Sequence, residues 1–114
     1  MAHQYRPPPW LRSGHVQSVW PVLFRKVRVE DPVTEVLSTA DNDELHLDWH
    51  RRQGSNRLAI VSHGLEGHSR RPYILGLTKA LLAQGWDVLA WNFRSCGGVM
   101  NLQPRFYHSG ATED

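Results

Sequence analysis

Cysteine is nearly absent from this chain: Cys96 stands alone, which excludes an internal disulfide framework and a multi-cysteine metal site. A reducing, intracellular setting follows, and with it the expectation of a cytoplasmic protein. Long apolar runs are missing too. No stretch approaches the roughly 18 consecutive apolar residues of a membrane span, and Met1 to Pro9 lacks the charged-then-apolar pattern of a signal peptide. Charge of one sign is not in excess. Thirteen Lys and Arg against eleven Asp and Glu leave a formal +2, and pairs such as Arg51-Arg52 and Arg70-Arg71 are scattered rather than clustered. A phosphate-tracking surface needs a denser basic patch or a recognisable module, so nucleic acid is not an expected partner.

What is present is an ordinary globular composition, 40% hydrophobic and 21% charged over 114 residues, enough for one modest core. The chain is organised around Leu58 to Gly67, where an apolar run breaks into a glycine-flanked turn, His63-Gly64-Leu65-Glu66-Gly67. Ile60 and Val61 suit a buried strand, and Gly64 and Gly67 permit backbone conformations that a Cβ resists. A loop at the carboxyl end of such a strand, ahead of a helix, is where open α/β sheets bind ligands.

Upstream, Arg6-Pro7-Pro8-Pro9-Trp10 reads as a non-helical, extended polyproline arm laid across its own domain. Ser13 to Trp20 has helical spacing at Val16, Val19 and Trp20, with Ser13 as cap and Pro21 as stop; its aromatic stripe is expected to pack in the core, the alternative being a cover for a site mouth or a lipid contact. Lys26 to Ser38 and Glu44 to Arg52 read as strands joined by Ala40-Asp41-Asn42-Asp43, an antiparallel hairpin with one wet face. The acids Asp41, Asp43 and Glu44 are expected to be a solvated turn, since no calcium loop follows.

Downstream, Pro72 opens a helix with Ile74, Leu77 and Leu81 on one face and Gly85 as its stop, and Gly76 suggests a close approach to the sheet. Trp86 to Phe93, almost wholly apolar, reads as a strand covered on both faces. Residues 58 to 93 then form a strand-helix-strand unit with a parallel, right-handed crossover, and the class is α/β. Arg94-Ser95-Cys96-Gly97-Gly98 follows on the same rim as the first loop. Ser109 and Thr112, ahead of Glu113 and Asp114, form a helix-start signal with no helix after it. The chain therefore reads as an arm and short helix over residues 1–26 and, over 27–114, the front part of a larger domain, incomplete by itself.

Chemistry is sparse. His63 and His68 lack the carboxylate or cysteine that zinc needs, and His46 and His50 are expected to be exposed; no metal or cofactor is implied. Ser62, Ser69, Ser95, Ser109 and Cys96 are the available nucleophiles, but none lies in a Gly-x-Ser-x-Gly elbow, and Cys96, though near Arg94, has no base to activate it. The turn itself supplies backbone N–H groups suited to an oxyanion. Leu65 is the expected donor, shaped by His63 and Gly64, with Glu66, Gly67, Ser69 and Arg94 as loop support.

Four blocks in order, Gly14-His15-Val16-Gln17-Ser18-Val19-Trp20-Pro21, His63 to Gly67, Asn92-Phe93-Arg94-Ser95-Cys96-Gly97-Gly98, and Tyr107-His108-Ser109-Gly110 with Thr112-Glu113-Asp114, resemble the YheT-like branch of the α/β-hydrolases. The resemblance implies the N-terminal portion of an α/β-hydrolase fold and the chemistry of carboxylesterases and lipases, a Ser-Asp-His triad working through an acyl-enzyme on small acyl-ester or lipid substrates. It places the nucleophile elbow on the strand after the one ending near Phe93, outside these residues, so that this chain carries the oxyanion loop at His63, Gly64 and Leu65 but no triad and is inactive alone. The branch includes mammalian relatives with an N-terminal membrane anchor, a segment this sequence does not contain. The alternative is a degenerate, non-catalytic interaction module.

Overall fold

Strand register decides which side chains meet a helix and which do not. In a computed structural model, residues 4–65, 67–98 and 100–104 are described, and they form β1 (Val33–Ser38), β2 (Glu44–His50), β3 (Leu58–Ser62), β4 (Asp87–Trp91), α1 (Gly14–Phe24) and α2 (Pro72–Ala83). The sheet order is β1-β2-β4-β3, with β1–β2 and β2–β4 antiparallel and β3–β4 parallel. This is a mixed sheet of four strands with two helices.

Val88 and Ala90 of β4 lie beside Ala59 and Val61 of β3 in register. With Ile74 of α2 they form the buried cluster, flanked by Leu81 and Leu82. Full burial of a Val or Ile side chain contributes about 1.5–3 kcal/mol, so this small group anchors α2 to the sheet. Pro72 stands at the helix start, where its missing N–H costs nothing. The helix ends on Gly85, at φ +80°, with Trp86 N–H donating to Leu81 O and Gly85 N–H to Leu82 O, the paired bonds of a Schellman turn.

Several expectations need correction. Ile60 is 67% exposed while Val61 is buried, because β3 is an edge strand and α2 covers only one of its faces. For the same reason β4 alternates instead of being enclosed: Val88 and Ala90 are fully buried, Leu89 and Trp91 only partly. The hairpin's polar residues do not form a wet face. Asp48 and His50 are on the side shared with Val88 and Ala90 and are both buried, whereas β1 is exposed throughout.

Pro21 does not end α1. The helix runs on to Phe24, and Arg25 N–H closes on Pro21 O at 3.2 Å, since a proline inside a helix removes one donor but keeps its carbonyl. The polyproline run stops at Pro8, and Pro9–Leu11 turns into a 3-10 helix. Neither segment is packed in the core: α1 buries no residue, its Trp20 and Phe24 rings lie against one another, and Trp20 meets Trp10 edge-on. Gly76 accommodates the Arg25 side chain instead of the sheet, for a Cβ there would lie 2.5 Å from the guanidinium. The motifs at Tyr107 to Asp114 lie outside the described residues.

Candidate functional site

β3 delivers the chain into a turn whose groups are almost all committed. His63 is buried; its Nδ1 lies 2.7 Å from Gly64 O, and its Nε2 accepts the Phe93 N–H at 3.1 Å. The ring also meets Phe93 edge-on, with centroids 5.0 Å apart. Gly64 N–H donates to the Tyr73 hydroxyl at 2.7 Å, and Gly67 N–H to Gly64 O at 3.0 Å. A Cβ on Gly67 would stand 2.9 Å from the Tyr73 hydroxyl and 3.0 Å from Gly64 O, so glycine is required where the turn folds back on itself. Leu65 projects outward, 88% exposed, and among the described residues its N–H has no hydrogen-bond partner.

Ser69 fastens the far end of the loop. Its N–H donates to Asn92 Oδ1 at 2.8 Å and its hydroxyl to Asp48 Oδ2 at 2.5 Å, while Asn92 Nδ2 donates to His46 O and to Ser69 Oγ. Thr34 Oγ1 donates to the second Asp48 oxygen at 2.7 Å, and Arg70 Nε approaches at 3.6 Å. Strands β1, β2 and β4 are thus tied to the loop after β3 through one buried carboxylate and one buried amide. Desolvation lowers the affinity of the nearby His50 and His68 for protons; Asp48 opposes this at both, and Arg70 reinforces it at both.

The loop after β4 is clamped separately. Buried Arg94 donates to Asp41 at 2.8 Å and Asp43 at 3.0 Å. Asp43 also accepts from Glu44 N–H, Leu102 N–H and Asn101 Nδ2. The Arg94 hydrogen bond, aided by Thr39, lowers the Asp41 carboxyl to about 2. Burial works to raise Asp43, but the backbone donors of Leu102 and Glu44, with Asn101 and Arg94, outweigh it and hold the group well below the usual carboxylate range. The acidic turn is therefore an ion-paired anchor, not a solvated one, because the following loop brings its counter-charge back onto it.

Most of the named site residues converge. His63, Gly64, Leu65 and Gly67 form one turn, and Ser69 secures its base. Arg94 pairs with Asp41 and Asp43 at the neighbouring rim loop, and Glu66 lies outside the described residues. His46 is half-buried and His50 buried, so neither is an exposed strand histidine. Ser62 Oγ accepts from Trp91 Nε1 at 2.5 Å. Among the described residues no cluster of three His, Cys, Asp or Glu is arranged for a metal.

Sequence reasoning missed Tyr73, Asp48 and Asn92. The usable signal was Asn92 and Asp48 themselves, polar residues in apolar strands that demand buried partners. Two openings flank the loop. One, of about 380 Å³, is lined by groups already bonded to each other, Asp48, Ser69 and Asn92 among them. The other, of about 350 Å³, lies against Leu65, Gly67 and Tyr73, with Val22 and Arg25 from the α1 end. The second is the one beside the unpartnered Leu65 donor.

Sequence comparison shows that the chain matches an N-terminal part of proteins from the α/β-hydrolase family. It is 39% identical over 104 residues to YheT of Escherichia coli (strain K12), whose name gives it provisionally as an esterase, covering 88% of this chain and 30% of that protein. The embryogenesis-associated protein EMB8 of Picea glauca is 25% identical over 125 residues, covering 100% and 27%. Human phospholipase ABHD3 is 29% identical over 119 residues, covering 96% and 29%. The chain thus spans less than a third of the length of these relatives. No family model and no solved structure matches. Among the described residues no helix is long and apolar enough to cross a membrane.

Proposed function

We propose that this chain is the N-terminal part of a serine carboxylic-ester hydrolase and that its Leu65 N–H is an oxyanion-hole donor. The observation that carries the reading is that donor: on an exposed residue at the carboxyl end of β3 and unpartnered among the described residues, while Gly64 N–H, Gly67 N–H and both His63 nitrogens are engaged around it. Kinship to an esterase-named and a phospholipase-named protein supports it. The substrate is a small acyl ester or a lipid, in a cytoplasmic setting.

In this reading a serine from outside these residues attacks the acyl carbonyl. The electron pair moves to the carbonyl oxygen, and donors fixed beforehand meet the new charge without reorganisation. His63, Gly64 and Tyr73 position the donor and touch no reacting atom. The second opening, apolar at Pro21, Val22 and Tyr73, would take the acyl or alcohol portion. With no elbow serine in the sequence, the 114 residues alone do not turn over ester.

Fluorophosphonate labelling tests the assignment on this chain and on a form extended to the length of the relatives. Label on the extended form alone is expected, and labelling of the 114-residue chain overturns its inactivity. In the extended form, Leu65→Pro removes the donor and is expected to lower kcat about 10²–10³-fold. Leu65→Ala keeps the N–H and is expected to keep the rate, since the side chain is exposed; equal rates for both variants refute the donor role.

A second reading, a non-catalytic interaction module, is favoured by the exposed Leu58 and Ile60 on edge strand β3. Absence of label on the extended form, together with a defined protein complex lost on Ile60→Lys, would favour it.

A further inference from the structure

Charge and apolar surface are sorted along the chain in a way the catalytic reading does not use. Residues 1–29 hold five of the thirteen basic side chains, Arg6, Arg12, Arg25, Lys26 and Arg28, and no acid; Glu30 is the first carboxylate, which leaves eight basic against eleven acidic side chains in residues 30–114. The same arm exposes its apolar side chains, with Val22, Leu23 and Phe24 at 70%, 62% and 59%. Trp10 meets Trp20 edge-on at 4.9 Å, and Trp20 meets Phe24 at 4.3 Å, giving a three-ring ridge that runs directly into Arg25 and Lys26.

We infer that the arm over residues 9–28 docks on an anionic lipid surface. Trp10, Trp20, Leu23 and Phe24 enter the headgroup boundary, and Arg25, Lys26 and Arg28 pair with lipid phosphates. An aromatic ring with one polar edge suits that boundary, an apolar helix face leaves water there, and cations meet its negative potential. A nucleic acid would use the cations but leave Leu23 and Phe24 in water; an apolar protein groove would give the segregated charge no role. Val22, on the same helix, lines the opening beside Leu65, so a docked arm brings that turn to the lipid. The inference stands whether or not the turn serves ester hydrolysis, because its test reads binding and not turnover.

The experiment is co-sedimentation of the 114-residue chain with vesicles of phosphatidylcholine alone or mixed with phosphatidylglycerol. Partition into the anionic vesicles is expected to exceed that into neutral ones and to weaken with added salt. Arg25→Gln, Lys26→Gln and Arg28→Gln are each expected to reduce it roughly fivefold, and Trp20→Ala with Phe24→Ala to reduce it on both vesicle types. Because α1 buries no residue and Lys26 and Arg28 are exposed, the aromatic, Lys26 and Arg28 variants are expected to retain the parent's unfolding midpoint, whereas Arg25→Gln also removes the contact with Gly76. No binding to anionic vesicles, equal binding to both, or binding untouched by the arm substitutions overturns the inference. So does retention on an oligonucleotide, or a dimer abolished by the aromatic substitutions, where neither is accompanied by vesicle binding.

Discussion

A carboxylate that accepts three backbone N–H groups, an amide and a guanidinium resists protonation, and Asp43 is such a group. Asp41 shares the same Arg94 and is lowered from 3.8 to about 2. Both folded-state values lie below the unfolded value, so the folded state binds fewer protons as pH falls, and the stability these groups contribute is complete above about 4 and is lost as pH falls through about 2. Acid titration followed by amide exchange at Leu102 is expected to show the loop after β4 released in that window, ahead of α2. Asp43→Asn is expected to abolish most of that acid dependence; an unchanged profile would mean that the Asp43 carboxylate does not anchor the loop.

At the scale of elements, α2 is held by few but deeply buried side chains. Ile74→Ala is expected to cost about 2–5 kcal/mol in a urea titration, since Ile74 fills the contact with Val61, Val88 and Ala90. Thr78 is fully buried with a hydroxyl that has no hydrogen-bond partner among the described residues, so Thr78→Val is expected to gain about 1 kcal/mol. A loss there would mean that the hydroxyl is bonded. The elements themselves were legible where local chemistry is decisive. Alternation at Leu45, Leu47 and Trp49 marks β2, and Pro72 with Gly85 brackets α2, because a missing N–H and a positive φ restrict the chain by themselves. What covers each element was not legible. The Trp20 and Phe24 spacing is the same whether a helix faces a core or water, and Ile60 and Val61 look equally buried until the sheet order makes β3 an edge.

Across the whole molecule, two rim loops far apart in sequence are cross-tied, Ser69 to Asn92 and His63 to Phe93. The turn at His63 to Gly67 stood out because glycines after an apolar strand are conspicuous, yet its supports did not, since Asp48 comes near its base only through strand pairing and Tyr73 reaches it only from the packed start of α2. His63→Ala removes the acceptor for the Phe93 N–H and the edge contact with the Phe93 ring, an expected loss of about 1–3 kcal/mol. Urea unfolding measures the loss, and faster amide exchange at Phe93 locates it; an effect confined to Gly64 would show that the loops are not coupled. The same two contacts fix where the imidazole proton resides. Nε2 is the acceptor for Phe93, and Gly64 O accepts only, so the proton is on Nδ1. That arrangement is distinguishable by the nitrogen chemical shifts of the ring. The alignment of the two loops is written in the tautomer of a single imidazole.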